Sequence, residues 1–443
     1  MPKEKERDSN VEILRLVGTI SILLDHFVGQ TKMYEKDTFL HSLFYCFCMS
    51  LSRPLTSIFI IISAWFGYGK PFRFQKVAHV WLTCAMFTIP FMSYLYFYVG
   101  EIKLSTFRIG FLPVTESPLW FVSAYIMIMM LKPMIDISVQ KCSKKVLKMI
   151  LLFLFFVQVV FSTITAQVGP LGGPVFCFIS IFLLVGYLRK YHDGWIPSLK
   201  ASLITFLTFW LTRTVFHAFI WRMEKSPMKT ALEKYVDFYR YAFPSLPHLI
   251  TAFSLFFVFL NIKIPPSKLF NKMASTSLGV YCFHQVPDWS KYMWKNPNLF
   301  NCMMYRKNVF GIARAFYVFR SVIILWCVGS ILETFRAKIA AVLIEERAWF
   351  KKFCRYINHF FNGEKYELEP EKNRDNKKEA ELIAFCSVLL IFYYVFIVNI
   401  EMVDSVQSNS DEKTWQHLMI LEHLIYRDWP LLWQMRRRPW NPS

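Results

Sequence analysis

The chain has 443 residues, 55% of them hydrophobic, 18% aromatic and only 19% charged. Apolar runs of about 18–25 residues, each long enough to cross a ~30 Å hydrocarbon core as a helix, fill most of it, which excludes a soluble enzyme and makes the fold class an all-α polytopic membrane protein. The net charge of +20 does not call for nucleic acid, because loop Lys and Arg facing an anionic leaflet account for it.

In chain order, spans are predicted at residues 11–29, 42–66, 76–99, 118–136, 146–164, 174–190, 199–220, 242–260, 271–286 and 314–335. They make a bundle of about ten transmembrane helices, and residues 382–400 are predicted as an eleventh. The first span is expected to stay uncleaved with the N-terminus cytoplasmic, since no small-residue cleavage site follows its apolar run. That orientation puts the basic turns "YGKPFRFQK", "QKCSKK" and "LRKYHD" inside and the uncharged "AQVGPLGG" outside, as the positive-inside rule requires. Segments 222–240 and 287–312, predicted as outward loops, are basic and run against it. Beyond the tenth span, Leu343, Phe350, Phe353, Ile357 and Phe360 recur at helical spacing between Lys351, Lys352 and Arg355. This pattern predicts one amphipathic helix lying on the inner leaflet. The expected organisation is a transmembrane domain over 1–340, this helix with a charged cytoplasmic linker over 341–381, and the extra span with a short tail over 382–443. Ten cysteines lie scattered in apolar stretches without a C-x-x-C pair or Cys/His cluster, so they are expected as core thiols, with no metal site.

Within the first span, "RLVGTISILLDHF" carries three ionisable side chains, which are costly in a membrane helix and mark function by default. Arg15 and His26, eleven residues apart, return to nearly one helix face, about 16 Å apart along the axis. Glu12 lies one turn before Arg15, close enough to pair with it. Asp25 adjoins His26 but diverges from it by ~100°, so it is not placed as a hydrogen-bonded orienter. His26 suits a general base, because imidazoles titrate near neutrality; a His merely wetted by headgroups is the commonplace alternative. After the second span, Lys70, Arg73 and Lys76 recur every three residues beside Gly67 and Gly69. Such a turn can hold a phosphorylated ligand or serve only as a surface anchor. Trp120 and Tyr125 open the fourth span as a sugar-binding platform or as interfacial belt aromatics. In "STSLGVYCFHQVP", Tyr281 and His284 lie one turn apart and add a second intramembrane histidine.

In this order, "NVEILRLVGTISILLDHF", "IFIIISAWF", "PLWFVSAYIMIMMLKPMI" and "KMASTSLGVYCFH" resemble the acyltransferase-3 family of membrane O-acyltransferases. The resemblance is greatest to bacterial members that acetylate surface polysaccharides and exopolysaccharides, and it runs from about Asn10 to Phe335. It implies a multi-pass protein of the cell membrane, surrounded by lipid, that moves acetyl from cytoplasmic acetyl-CoA to a hydroxyl of a polysaccharide or lipid-linked glycan. Polysaccharide synthesis or export machinery would be its partner. The family's Arg-x10-His signature falls on Arg15 and His26, making His26 catalytic as a base or as a transient acyl carrier. Arg15 and Asp25 are grouped with it as catalytic, Asp25 standing where many relatives carry another His. The donor-associated basic pair falls on Arg73 and Lys76, and Lys70 and Arg53 join that set. Glu12, Trp120, Tyr125, Tyr281 and His284 would shape the cleft. In "LSRPLTSIF" Arg53 and Phe59 are kept, while the glycines of the relatives are lost. The competing class is a polysaccharide or lipid-linked sugar transporter. Against it stand the lack of an internal repeat and the gathering of polar groups on one helix.

Overall fold

Three serines and a proline set where several helices begin. Ser143 and Ser198 cap α5 (Lys144–Thr165) and α7 (Leu199–Arg222) by accepting from the amides of Val146 and Ala201, and Ser267 accepts from Phe270 at the start of α10 (Lys268–Ser275). Pro174 occupies the first position of α6 (Pro174–Tyr191), where its missing N–H costs nothing. The computed structural model describes residues 9–30, 39–100, 119–167, 172–223, 226–241, 245–295 and 311–362. All of them fall in one compact unit, Met1–Ile102 with Ile109–Leu368. The remaining helices are α1 (Ser9–Gln30), α2 (Phe39–Gly67), α3 (Phe74–Tyr94), α4 (Trp120–Lys141) and α8 (Pro227–Tyr241). They are followed by α9 (Leu246–Asn261), α11 (Ser277–Gln285), α12 (Pro287–Lys295), α13 (Gly311–Ala340) and α14 (Ala348–Asn362).

Among the described residues, seven helices are long and apolar enough to cross a membrane. The protein is therefore an all-α, multi-pass membrane protein; of the ten expected spans seven are matched among the described residues, and the eleventh at 382–400 lies outside them. Three expected spans are not among the seven: α1, the 16-residue α9 and the ninth, and the ninth has a local cause. The span expected at 271–286 is divided at Thr276 into α10 and α11, of 8 and 9 residues, each too short at 1.5 Å per residue to cross alone. Thr276 holds the break by donating to the Met273 carbonyl at 2.8 Å and bonding Ser330 at 2.9 Å. The segments expected as outward loops also differ, because α8 fills most of 222–240 and α12 begins the other.

α2 is the central helix. Of its most apolar stretch 72% is buried, against 22% for α5, and it packs on α1, α6, α7 and α9. Pro54 within it cannot donate to the Ser50 carbonyl four residues back. Arg213 of α7 supplies that bond from Nη1 at 3.2 Å. With no water in a bilayer core, a neighbouring helix has to satisfy the freed carbonyl. At the end of α2 the chain turns through Gly69, whose φ of +68° suits glycine. Lys132 of α4 fastens this turn by donating to the Lys70 carbonyl at 2.9 Å while pairing with Asp136.

α14 packs on α3, and two asparagines pin it there. Asn362 accepts from the Phe72 amide at 2.9 Å and Asn358 from the Phe74 amide at 2.6 Å. The single apolar face expected for this helix is in fact two. Phe350 is buried, with Cys354 beside it, whereas Phe353 and Phe360 are exposed, and Leu343 belongs to the π turn Ala341–Glu345 that precedes the helix.

Candidate active site

A cleft of about 720 Å³ is lined by side chains from α1, α2, α3, α4, α10 and α11, with Glu345 and Phe350 from beyond α13. Its volume lies in the ordinary range for small-molecule sites. Arg15 and His26 both line it, consistent with their shared helix face. Glu12 does not; it is buried behind Arg15 and accepts from its Nη1 at 2.7 Å, which fixes the guanidinium at one end of the cavity.

At the other end of α1 the two histidines meet. His26 Nδ1 lies 3.0 Å from His284 Nε2, and the rings are 5.2 Å apart. His284 is 1% exposed, and its Nδ1 lies 2.6 Å from the Val280 carbonyl oxygen. That contact settles the proton order of the chain. A carbonyl only accepts, so His284 carries its proton on Nδ1, and in the neutral ring Nε2 is then the acceptor. His26 must therefore donate from Nδ1, which leaves His26 Nε2 as its basic nitrogen. The Gln285 amide nitrogen lies 2.9 Å from the same Nδ1; with Nδ1 donating, this proton order requires the amide turned end for end, so that its oxygen faces the ring as a second acceptor.

Asp25 also lines the cavity, but its polar partner is Arg53, whose Nε lies 3.4 Å from Oδ2. Arg53, expected among donor-binding residues, stands beside Asp25 rather than in the basic turn. Of that turn only Lys76 lines the cavity; Lys70 and Arg73 are exposed and lie off it. Trp120, Tyr125, Tyr281 and His284 all line it. The Phe121 ring joins the aromatic ones, 6.3 Å from Tyr125, 6.2 Å from Tyr281 and 6.2 Å from Phe59.

Several lining residues escaped the sequence reasoning. Gln285 adjoins His284, a signal that was there to use. His79 follows Lys76 by one helical turn and pairs with Glu345 at 2.6 Å. The helical pattern marks Phe350 only as apolar and leaves Glu345 unmarked, because the two reach the cavity through the packing of α14 and of the π turn before it.

The family described as Acyltransferase domain matches residues 8–332, from the start of α1 almost to the end of α13. The chain belongs to the acyltransferase-3 family. It is thus a membrane acyltransferase, and membership implies an acyl-CoA-like donor. No curated protein and no solved structure matches the acyltransferase. The matched region carries every cavity residue of the acyltransferase except Glu345 and Phe350.

Proposed function

We propose that this acyltransferase is an O-acetyltransferase that takes acetyl from cytoplasmic acetyl-CoA and delivers it to a hydroxyl of a cell-surface or exported polysaccharide. The supporting observation is one cavity that joins a cationic end, with Arg15, to the His26–His284 pair. The N-terminus is placed in the cytoplasm, so that Arg15, Lys76 and the turn carrying Lys70 and Arg73 face the donor's phosphates. Arg15, held by Glu12, offers a guanidinium fork, and the lysines add point charge. His26 accepts the hydroxyl proton at Nε2 as the acceptor oxygen bonds to the acyl carbon, and returns it to the departing sulfur. Arg53, steadied by Asp25, offers positive charge where negative charge develops on the acyl oxygen. Trp120, Tyr125 and Tyr281 form an aromatic wall against which a sugar ring can lie.

The reading is tested by following radiolabelled acetyl from acetyl-CoA into cell-envelope glycan, in membranes carrying equal amounts of wild-type chain and His26→Ala. Transfer is expected to fall by ~10²–10⁴-fold in the variant. Wild-type transfer by His26→Ala would remove His26 from the chemistry. Label entering glycan only from succinyl-CoA would change the donor and leave the site standing.

A further inference from the structure

Residues 341–362 follow the matched region, yet they supply Glu345 and Phe350 to the cavity. α14 presents three separate faces. At ~100° per residue, Phe350, Cys354, Ile357 and Phe361 share the face turned toward the protein, with Phe350 and Cys354 buried and Phe361 4.8 Å from Phe72. Lys351, Arg355, Asn358 and Asn362 share a polar face. The third face is aromatic: Trp349, Phe353, Tyr356 and Phe360 fall within ~60° of one another and are 44%, 48%, 58% and 76% exposed.

An exposed stripe of four aromatic rings, three residues from the end of an apolar helix and flanked by Lys351, Lys352 and Arg355, fits one solvent better than water. Aromatic rings concentrate at the headgroup level of a bilayer, and Lys and Arg beside them favour anionic lipid. The bundle itself places that layer at hand. α13 with its π turn is a membrane-length helix, Ala315–Glu345, and α14 follows it after two residues. We infer that the aromatic face of α14 docks into the headgroup layer of an anionic leaflet, and that this docking holds the helix in place as a wall of the cavity. The connection runs through Asn358 and Asn362, which accept from the amides of Phe74 and Phe72, and through Phe350, which lines the cavity.

The test is amide hydrogen exchange on the full chain in three media: nanodiscs of phosphatidylcholine alone, nanodiscs that also contain phosphatidylglycerol, and detergent. It needs no activity, so its result is independent of the acetyl-transfer reading. Amides of 348–362 are expected to exchange slowest with phosphatidylglycerol, by at least about fivefold over phosphatidylcholine, the equivalent of one Lys or Arg brought to an anionic surface. The amides of Phe72 and Phe74 are expected to follow the same order, because they report whether α14 is seated. The double variant Trp349→Ser and Phe360→Ser, which spares Phe353 because its ring also packs 5.7 Å from Phe74, should lose the protection in every medium. Lys351→Gln, Lys352→Gln and Arg355→Gln together should lose only the phosphatidylglycerol increment. Equal protection in all three media would overturn the inference and assign the face to another part of this chain or to a second copy. Protection of 348–362 without any change at Phe72 and Phe74 would overturn the link to the cavity.

Discussion

His284→Leu is expected to lower kcat for acyl transfer by ~10²–10⁴-fold with the donor KM little changed, while His284→Gln recovers to within about tenfold of wild type. The effect depends on which nitrogen of His26 is free to react. Val280 lends a carbonyl to His284 Nδ1 at 2.6 Å, and His284 Nε2 in turn faces His26 Nδ1 at 3.0 Å. Leucine fills much of the same space but accepts nothing. The His26 ring then loses its buried imidazole acceptor, Gln285 alone is left to hold the proton on Nδ1, and the ring can more readily place its proton on Nε2, the position that has to stay basic. Glutamine restores an acceptor through its amide oxygen and can donate to Val280 through its nitrogen, so the proton order survives with longer, less rigid bonds. A role confined to packing makes the opposite forecast, because Leu is then the milder change. The measurement is steady-state kinetics on both variants at matched thermal stability. Equal losses for Leu and Gln would withdraw the positioning role.

Much of this site was legible in the first helix alone. The spacing between Arg15 and His26 carried the shared face, because 3.6-residue periodicity is a local property that any straight helix keeps. The Glu12–Arg15 pair followed for the same reason, and Asp25 diverging from His26 anticipated that its partner would be found elsewhere. What remained hidden depends on contacts between helices. His26 and His284 are 258 residues apart, and nothing in either segment announces that α1 and α11 pack side by side. Arg53 and Asp25 pair across α1 and α2 on the same terms. The division of the ninth span was also beyond hydropathy, since "MASTSLG" is polar enough to break and apolar enough to continue. Its Thr276 chooses the break because Ser330 of α13 is there to bond it. Phe350 and Phe360 look alike in the sequence of α14; only the position of α3 decides which of them is buried.

Gly279→Ala is expected to disrupt the seat of His284 from behind, with a loss of stability of about 1–3 kcal/mol or more and a larger loss of activity. Gly279 lies on α11 against α13, and a Cβ there would fall on the Cβ and Oε2 of Glu333 and 2.6 Å from its Cγ. A flexible side chain at such a contact could swing aside. Glu333 cannot, since both of its oxygens are held by Arg336, at 2.7 Å from Nε and 2.7 Å from Nη2, and the pair is buried. Moving the carboxylate would strand a buried guanidinium, which costs more than the overpacking it relieves. The cheaper response is for α11 to back away from α13, and α11 carries His284 five residues further along. A shift of that helix lengthens the 3.0 Å contact to His26, so activity should fall further than the stability loss alone accounts for. Gly29→Ala is the control, because a Cβ at 29 meets nothing within 4 Å; it should leave the apparent Tm unchanged or slightly raised. Thermal unfolding in detergent, alongside acyl transfer at a temperature where both variants remain folded, separates the two effects. If Gly279→Ala keeps wild-type stability and transfer, α11 and α13 do not pack this closely, and the fixed position of His284 must come from its bonds to Val280 and His26.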